Sequence, residues 1–327
     1  MPAPVIDFYP LVPEQALQGD AIEALQANRI DPKFLYVTPR QAELWRRVFL
    51  KHSPIHANPE FARIYRDAFA RVADQLEGQK MLLVGLGCGT GMKELGLLTS
   101  LKAEGCEVLF SAIDVSHDLV LESTGKLMEA GAGHRRSLVC DLTETSFLEN
   151  WLGGMENRLP RVITFFGMVP NFIPSAVIRL LHAVLRPGDV VLASAHLAPV
   201  RTENPGEVRA AMDSVLPQYD NPETLAWLTA ALQVWDLESL VGPPQVKIGE
   251  LEGIPAFLAF ASWKNAAPFE RWGHRFSPKI EEPLRLFFSL RYTPALFETV
   301  LRREGFSTEL LSITSCRQEA IWSVRRV

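Results

Sequence analysis

The chain has 327 residues, of which 47% are hydrophobic and 22% are charged, a composition typical of a globular protein with a large core. This length favours one large domain or two interleaved domains. The formal net charge of −5, without a clustered basic face, argues against nucleic acid as a main partner.

Cysteine usage and the absence of export or membrane signals predict the compartment. The cysteines show no Cys-x-x-Cys spacing and have no accompanying histidine cluster; they are Cys88, Cys106, Cys140 and Cys316. This pattern argues against a zinc site, and reduced cysteines fit the cytosol. The N-terminal stretch lacks the features of an export signal, and no apolar run reaches about 18 residues, the length of a membrane span. We expect a cytoplasmic protein without a metal or a membrane partner, as a monomer or a weak homodimer.

Two amphipathic helices are predicted in the N-terminal part of the chain. The stretch 39–52 places Leu44, Val48 and Phe49 at helical spacing. The stretch 58–76 is a clearer helix, because Asn58 is a suitable N-cap, a proline follows it, and apolar residues form one stripe.

From residue 80 the pattern changes to short apolar runs that alternate with helix-like segments. The runs are typical of buried parallel strands and cover 80–86, 106–116, 136–144, 161–169 and 189–198. The helix-like segments between them are 91–103, 117–130, 145–153 and 174–186. This alternation predicts a doubly wound parallel sheet with right-handed crossovers.

The alternation stops after residue 198, where a segment rich in proline and tryptophan begins. We interpret this segment as an insertion that builds a second lobe together with the N-terminal residues. Near residue 293 the order returns with a helix that ends at Gly305, followed by two strands that favour an antiparallel hairpin at the sheet edge. The predicted domains are therefore 58–198 plus 286–327, and 1–57 plus 199–285.

Three alternating glycines, Gly87, Gly89 and Gly91, follow the first strand. Glycine allows a tight turn and lets a ligand approach the backbone, and the next helix offers its N-terminal N–H groups. Ligands of open parallel sheets bind beyond the carboxyl ends of the strands. The spacing GxGxG differs from the GxGxxG of dinucleotide-binding proteins. A plain strand–helix turn is the alternative interpretation.

Two carboxylates end the second and third strands. Asp114 lies about 25 residues after the glycines, where a carboxylate can accept both ribose hydroxyls; its alternative role is a helix N-cap, with Ser116 as a competing cap. Asp141 is placed to accept from an adenine amino group or to cap the turn that follows it. Together with the glycines, these residues predict a nucleoside ligand without a diphosphate, for which S-adenosylmethionine (SAM) is the candidate.

Several stretches also resemble one known family: KFLYVTPRQAELWRRV, LVGLGCGTGMKELGLL, FFGMVPNF, QYDNPETLAWLTAAL and SLRYTPALFE. They are similar to motifs of class I SAM-dependent methyltransferases, and more narrowly of the histidine-specific methyltransferase family, which includes an L-histidine Nα-methyltransferase. The resemblance extends over almost the whole chain. It implies an α/β fold with a Rossmann-like, seven-stranded class I methyltransferase sheet and a smaller, split substrate-binding lobe.

The resemblance also implies roles for individual residues. The residues that it places at the acceptor are Tyr36, Asn171, Tyr219 and Ser289; without it they would be interpreted as core or loop residues. The residues that the glycine turn, the strand ends and the resemblance assign to SAM are Gly85, Gly87, Cys88, Gly89, Gly91, Lys93, Asp114, Val115, Asp141, Leu142 and Phe166.

Four positions depart from the family pattern. Gly85 stands where a carboxylate that helps to hold the methionine end of SAM is expected. Phe287 stands two residues before Ser289, where the family has a Glu that holds the amino group of the substrate. Arg291 replaces a Lys. A second family tyrosine falls near His56, which leaves that position without a hydroxyl.

These departures shape the predicted function. The sequence predicts a SAM-dependent N-methyltransferase for a small amine or imidazole-containing acceptor other than free L-histidine. The alternatives are an L-histidine Nα-methyltransferase and a non-catalytic SAM-binding protein of the same fold. An NAD-dependent oxidoreductase is disfavoured by the glycine spacing. His196, at a strand end, is a candidate base or a structural histidine.

Overall fold

The computed structural model describes residues 3–9, 13–155, 159–202 and 204–327. Its helices are α1 (Pro13–Gln26), α2 (Pro39–His52), α3 (Pro54–Ala57), α4 (Pro59–Asp74), α5 (Met92–Ala103), α6 (His117–Glu129), α7 (Thr145–Gly153), α8 (Pro174–Val184), α9 (Pro205–Asp213), α10 (Pro222–Val234) and α11 (Pro294–Arg303). Short 3-10 turns cover Pro32–Leu35, Val169–Asn171 and Leu216–Gln218.

The strands are β1 (Ile6–Phe8), β2 (Lys80–Leu86), β3 (Glu107–Asp114), β4 (Gly133–His134), β5 (Ser137–Val139), β6 (Arg161–Phe166), β7 (Val190–His196), β8 (Gln245–Leu251), β9 (Ile254–Ala261), β10 (Phe269–Arg271), β11 (His274–Phe276), β12 (Leu284–Leu290), β13 (Phe306–Ile313) and β14 (Glu319–Arg326). They form one large sheet, a three-stranded sheet with the order β12-β9-β8, and the separate β10–β11 hairpin.

The large sheet has the order β1-β5-β3-β2-β6-β7-β14-β13, with β4 paired to β3. Its strands from β1 to β7 pair in parallel, whereas β14 runs antiparallel to both β7 and β13. The strand order changes direction at β2, because β3 lies on one side of it and β6 on the other, and a crevice opens at its carboxyl end. The predicted α/β class, the doubly wound sheet and the C-terminal antiparallel hairpin are confirmed.

Local sequence signals explain several element boundaries. Oδ1 of Asn58 accepts a hydrogen bond from the backbone N–H of Glu60 at 2.9 Å, so α4 begins at the predicted cap. Helix α11 is followed by Gly305, whose φ of 81° lies in the left-handed region, as the prediction of its end requires. The third predicted strand is shorter than expected, since β5 covers only Ser137–Val139.

The three-stranded sheet joins the lobe to the large sheet. Leu258, Phe288 and Leu290 belong to a hydrophobic core that they share with the strands of the large sheet. Leu286 and Phe287 belong to the lobe core, with residues from α1 and α10. A β-bulge between Arg285 and Phe287 shifts the register of β12 against β9, and bulges re-aim side chains in this way.

Two strands pair with strands on the other side of the predicted domain boundary. Residues 6–8, assigned to the lobe, form β1 and pair with β5 at the edge of the large sheet. Strand β12, most of which was assigned to the SAM domain, pairs with β9 in the lobe sheet. A sequence pattern can show that a strand exists, but it does not identify the strand with which it pairs. The pairings of β1 with β5 and of β12 with β9 could therefore not be predicted. The wider division into two domains stays a prediction.

The described residues contain neither a helix suited to a membrane nor a cluster of metal ligands. No helix among them is long and apolar enough to cross a membrane. No group of three or more His, Cys, Asp or Glu residues in the described part of the chain is placed to hold a metal ion.

Candidate functional site

A cavity of about 680 Å³ lies between the carboxyl ends of the central strands and the lobe. Thirteen residues predicted for the site line this cavity: Tyr36, Gly87, Cys88, Gly89, Lys93, Asp114, Val115, Asp141, Leu142, Phe166, Asn171, Tyr219 and Ser289. We call the wall made by the glycine turn and the strand ends the sheet face. The wall made by Tyr36, Tyr219, Trp227, Phe287 and Ser289 is the lobe face.

The glycine turn adds no side chains to the sheet face. Neighbouring side chains already fill the space that Cβ atoms at Gly87 and Gly89 would need. Gly87 and Gly89 have φ values of 59° and 52°. A Cβ on Gly87 would lie 2.8 Å from Cγ of Met168, and one on Gly89 would lie 2.6 Å from Cη2 of Trp45. Only glycine fits these positions, so the turn keeps its backbone accessible from the cavity.

Two predicted glycines do not line the cavity. A Cβ on Gly91 would lie 2.8 Å from Cβ of Ser123, so this glycine allows α5 to pack closely against α6. Gly85 lies in β2, where a Cβ would lie 2.9 Å from Cβ of Cys88 and 3.4 Å from Cγ of Glu94. Both residues therefore act on the sheet face through packing rather than as part of the cavity wall.

Asp114 is a buried carboxylate at the end of β3. Its Oδ2 accepts a hydrogen bond from the backbone N–H of Gly89 at 3.1 Å, and its Oδ1 accepts one from Ser116 at 3.0 Å. Burial raises the pKa of Asp114 to about 6, although the backbone donors oppose this shift. The carboxylate thus ties the glycine turn to the start of α6 and still borders the cavity, which leaves lone pairs for a ligand.

Asp141 connects the sheet face to the N-terminal lobe. Its Oδ1 accepts from the backbone N–H of Thr143 at 2.9 Å, the turn-capping role that was its alternative interpretation. Its Oδ2 lies 2.9 Å from Nζ of Lys33, a cation that also pairs with Asp20. The neighbouring Leu142 is buried beside the cavity.

Lys93 belongs to a buried polar network behind the sheet face. Its Nζ donates to the hydroxyl of Tyr65 at 2.7 Å and lies 3.7 Å from Oε1 of Glu319. The Tyr65 hydroxyl, which has one proton to donate, also lies within hydrogen-bond distance of Oγ of Ser194 and of Oε1 of Glu319. The ammonium group lies 5.9 Å from the ring centroid of Phe166. Lys93 is thus neutralised by a buried carboxylate while it borders the cavity.

Cys88 also borders the sheet face, and its thiol is unreactive in character. Its Sγ lies 3.2 Å from Oγ of Ser123. Burial, with the nearby carboxylates of Asp114 and Glu94, raises the pKa of the Cys88 thiol well above its usual value.

Glu94 is a cavity residue that the sequence analysis did not identify. It is 2% exposed, and its Oε1 accepts a hydrogen bond from Oγ1 of Thr164 at 2.8 Å. Burial raises the pKa of Glu94. A signal was present in the sequence, because Glu94 occupies the buried stripe of α5 together with Leu97, Leu98 and Leu101. An acid on such a stripe is unusual.

The lobe face is aromatic. Phe287 is buried, and its ring centroid lies 6.3 Å from that of Tyr219 and 5.7 Å from that of Trp227. The Tyr219 hydroxyl lies 3.4 Å from Oγ of Ser289. The ring of Tyr36 lies 5.4 Å from that of Trp227. Segments far apart in the chain therefore meet in one wall.

A buried guanidinium lies behind the lobe face. Arg291 is 2% exposed, donates from Nη2 to the Tyr219 hydroxyl, and lies 5.0 Å from the ring centroid of Tyr219 and 4.9 Å from that of Phe257. Its Nε and Nη1 have no hydrogen-bond partner among the described residues. The aromatic rings thus carry most of the stabilisation of this cation.

The remaining candidates occupy different places. Asn171 ends the 3-10 turn after β6 and lines the cavity. His196, at the end of β7, also lines the cavity and lies 3.8 Å from Oε2 of Glu319. Burial lowers the pKa of His196 to about 4, so its ring is neutral at pH 7. His56 lies on α3 with its ring against Phe49, outside the cavity wall.

The described residues fit a nucleoside ligand such as SAM. The glycine turn forms a cradle that any Cβ would fill, and Asp114 supplies a carboxylate at the end of the neighbouring strand. The cavity volume, about 680 Å³, is within the usual range for cofactor sites. Backbone N–H donors together with carboxylate acceptors suit a nucleoside with an amino acid tail.

Solved structures that match this chain include several methyltransferases. The SAM-bound amino pentose methyltransferase CalS10 from Micromonospora echinaspora has 13% sequence identity and a TM-score of 0.39, over 80% of this chain and 92% of that chain. The 1,6-didemethyltoxoflavin-N1-methyltransferase of Burkholderia thailandensis has 12% identity and a TM-score of 0.42, over 89% and 91%. The CcbJ methyltransferase from Streptomyces caelestis has 14% identity and a TM-score of 0.39, over 80% and 95%.

The family comparison is more specific than these structural similarities. None of the curated protein sequences matches the chain. The family model described as histidine-specific, SAM-dependent methyltransferase matches residues 17–214, which is more than half of the chain. This segment contains the glycine turn and the strand-end carboxylates of the sheet face. The chain belongs to the histidine-specific, SAM-dependent methyltransferase family.

Proposed function

We propose that this protein transfers a methyl group from SAM to a nitrogen of a small amine or imidazole-containing acceptor other than free L-histidine. The observation that carries the proposal is Phe287. Its buried ring occupies the lobe face where the family pattern has a carboxylate. The loss of an ionic contact to an ammonium group costs on the order of 1.5–3 kcal/mol. A phenyl ring instead favours an acceptor with an apolar or aromatic part.

The charge around the lobe face supports a neutral nucleophile. Arg291 places a buried positive charge against Tyr219 without a carboxylate partner in the described part of the chain. A nearby cation disfavours protonation of an amine. An amine must be neutral to attack a methyl group, so this environment favours the reactive form of the acceptor.

The proposed division of roles follows the two faces of the cavity. SAM, when bound, supplies a methyl group activated by a sulfonium. On the sheet face, the Gly87 and Gly89 backbone receives the ligand, Asp114 accepts from the ribose hydroxyls, and Asp141 accepts from the adenine amino group. The residues that pack around the nucleoside are Cys88, Val115, Leu142 and Phe166, and Lys93 supports the methionine end.

On the lobe face, the chain holds the acceptor nitrogen in line with the methyl group. Tyr36, Asn171, Tyr219 and Ser289 orient the acceptor through hydroxyl and amide groups. In-line methyl transfer needs alignment and close approach more than a strong acid or base. His196 is neutral at pH 7 and borders the same cavity, where it can accept a hydrogen bond from the acceptor.

The test is a comparison of acceptors with purified protein and methyl-labelled SAM. The acceptors are L-histidine, histamine and an arylalkylamine such as phenethylamine. We expect wild-type protein to favour histamine or phenethylamine over L-histidine by at least about tenfold, the ratio that 1.4 kcal/mol gives. Phe287→Glu should shift this ratio towards L-histidine by about tenfold, and Phe287→Leu should keep the wild-type order.

The other outcomes separate the alternatives. L-histidine as the best acceptor of the wild-type protein would sink the proposal and favour an L-histidine Nα-methyltransferase, the activity that family membership suggests. Binding of S-adenosylhomocysteine (SAH) without transfer to any acceptor would favour a non-catalytic SAM-binding protein. Family membership removes the oxidoreductase alternative. A cytoplasmic, monomeric or weakly dimeric enzyme with neither nucleic acid nor membrane as a partner stays a prediction.

A further inference from the structure

Strand β2 has no side chain at Gly85, one position before its last residue and just before the glycine turn of the cavity. At Gly85 the space that a side chain would enter is already filled, because a Cβ there would lie 2.9 Å from Cβ of Cys88 and 3.4 Å from Cγ of Glu94. The side chain of Glu94 comes from α5, after the glycine turn, and its Cγ occupies the region beside residue 85. The acid that is missing at residue 85 is thus matched in space by the acidic side chain of Glu94.

The carboxylates around the cavity differ in their partners. Asp114 accepts two backbone N–H groups, and Asp141 pairs with Lys33. Glu319, behind the wall, pairs with Lys93. Glu94 accepts a hydrogen bond from the hydroxyl of Thr164, and no cation of the described residues forms an ion pair with it; the charge of Lys93, which pairs with Glu319, only partly offsets the burial that raises the pKa of Glu94.

A buried carboxylate without a cation is unfavourable unless a ligand supplies one. SAM carries two cationic groups, a sulfonium that has no hydrogen-bond donor and an α-ammonium that has three. A carboxylate with free lone pairs matches the ammonium, because charge and hydrogen bonds are then satisfied together. The ammonium group is thus the complement of Glu94.

We propose that Glu94 binds the α-ammonium group of SAM and replaces the carboxylate that Gly85 cannot supply. The proposal rests on the assignment of SAM to this cavity, and it adds a cofactor-binding residue on α5. It also explains why the protein tolerates a glycine at the end of β2. A side chain at residue 85 would displace Glu94 from the place that it occupies.

The test is a binding cycle with two ligands and three forms of the full-length protein. The ligands are SAH, which has the α-ammonium group, and 5′-methylthioadenosine, which has the same nucleoside and no amino acid. Calorimetric titration gives the affinity of each ligand for wild type, Glu94→Gln and Thr164→Val. Glu94→Gln keeps the size and the hydrogen-bond acceptor and removes the charge. Thr164→Val removes the hydroxyl partner and keeps the charge.

We expect Glu94→Gln to lower the affinity for SAH by roughly 10- to 100-fold and to change the affinity for 5′-methylthioadenosine by less than about twofold. Thr164→Val should lower the affinity for SAH less than Glu94→Gln does. If Glu94→Gln does not fold, Glu94→Asp is the substitute, because its carboxylate is set back by one methylene group. The loss of affinity should again be confined to SAH.

Three results would overturn the proposal. Wild-type affinity of Glu94→Gln for SAH would remove Glu94 from the ammonium site and leave the cofactor assignment intact. Equal losses for SAH and 5′-methylthioadenosine would assign Glu94 a structural role. Failure of the wild-type protein to bind either ligand would overturn the cofactor assignment as well.

Discussion

The two faces of the cavity are built in different ways. The sheet face consists of backbone from a seven-residue turn region and of carboxylates that end neighbouring strands, so most of it comes from residues 85–142. The lobe face brings together Tyr36, Tyr219, Trp227 and Phe287, which are separated by up to 251 positions (287 − 36). The first face is charged and follows from local chain geometry, whereas the second is aromatic and depends on long-range packing.

This difference separates what the protein shares with its family from what it has changed. The sheet face keeps the glycine turn, and its missing acid at Gly85 is matched by Glu94 nearby. On the lobe face, Phe287 packs with Tyr219 and Trp227 at the position where the family resemblance implies an acid, and Arg291 adds a positive charge behind it. We infer that the cofactor is constrained and that the acceptor has changed.

The largest expected effect is at Gly89, where the sheet face has no room for a side chain. In Gly89→Ala, the new Cβ would lie 2.6 Å from Cη2 of Trp45, in backbone at a φ of 52°. We expect the turn to shift and the affinity for SAH to fall roughly 100-fold, as for a misplacement of about 1 Å. Calorimetric titration measures this loss.

Gly105→Ala is the matched control for that prediction. Gly105 also has a positive φ, of 72°, but a Cβ there meets nothing within 4 Å. Both variants should lose about 1–2 kcal/mol of stability through backbone strain, while Gly105→Ala binds SAH like wild type. If both variants bound SAH equally well, the crowding at Trp45 would have no role in shaping the cofactor site.

The sheet face could be predicted from the sequence to a large extent, because its determinants are local. A strand followed by glycines and a strand that ends in an acid specify neighbouring places in a parallel sheet. Asp114 and Asp141 were predicted in this way, and both line the cavity. Glu94 was not predicted: it is an unusual acid on the buried stripe of α5, but the stripe does not show that its side chain lies beside Gly85.

The lobe face could not be derived in the same way. Nothing in the local sequence brings Tyr36 next to Trp227, and only the family resemblance placed Tyr36, Tyr219 and Ser289 at one site. The pairing of β12 with β9, and the bulge beside Phe287, depend on contacts between distant segments. The edge strand β1 was missed for the same reason, since its three residues carry too little pattern to indicate a partner.

The next effect concerns the charge of the sheet face. Burial raises the pKa of Asp114 from 3.8 to about 6, so the carboxyl group of the free protein gains a proton as the pH falls below 6. Ribose hydroxyls bind the ionised form, so the affinity for SAH should fall by about tenfold per pH unit below that value. Asp114→Asn should bind SAH about tenfold more weakly at pH 7 and lack this pH dependence.

The contribution of Asp114 to the stability of the free protein should change with pH in the opposite direction to the affinity for SAH. Since folding raises this pKa, the contribution of Asp114 to stability is present below pH 3.8 and is lost as the pH rises through 6. Thermal melts of wild type and Asp114→Asn over this range measure the difference. A pH dependence of SAH binding that is identical in the two proteins would assign the titration to another group, for which Glu94 is the first candidate.

The smallest expected effect is at Tyr36, a residue of the lobe face whose hydroxyl lies near Asp114 of the sheet face. Burial, with Asp114 and Tyr219 nearby, raises the pKa of its hydroxyl, so the group stays protonated and can donate a hydrogen bond. In Tyr36→Phe we expect kcat to fall by roughly three- to tenfold, the loss of one neutral hydrogen bond, with the affinity for SAH changed by less than about twofold. Tyr9→Phe is the control, because Tyr9 stacks on Phe147 and does not line the cavity. A loss of SAH affinity as large as the loss of kcat would place Tyr36 with the sheet face, and the separation of cofactor and acceptor between the two faces would then fail at this residue.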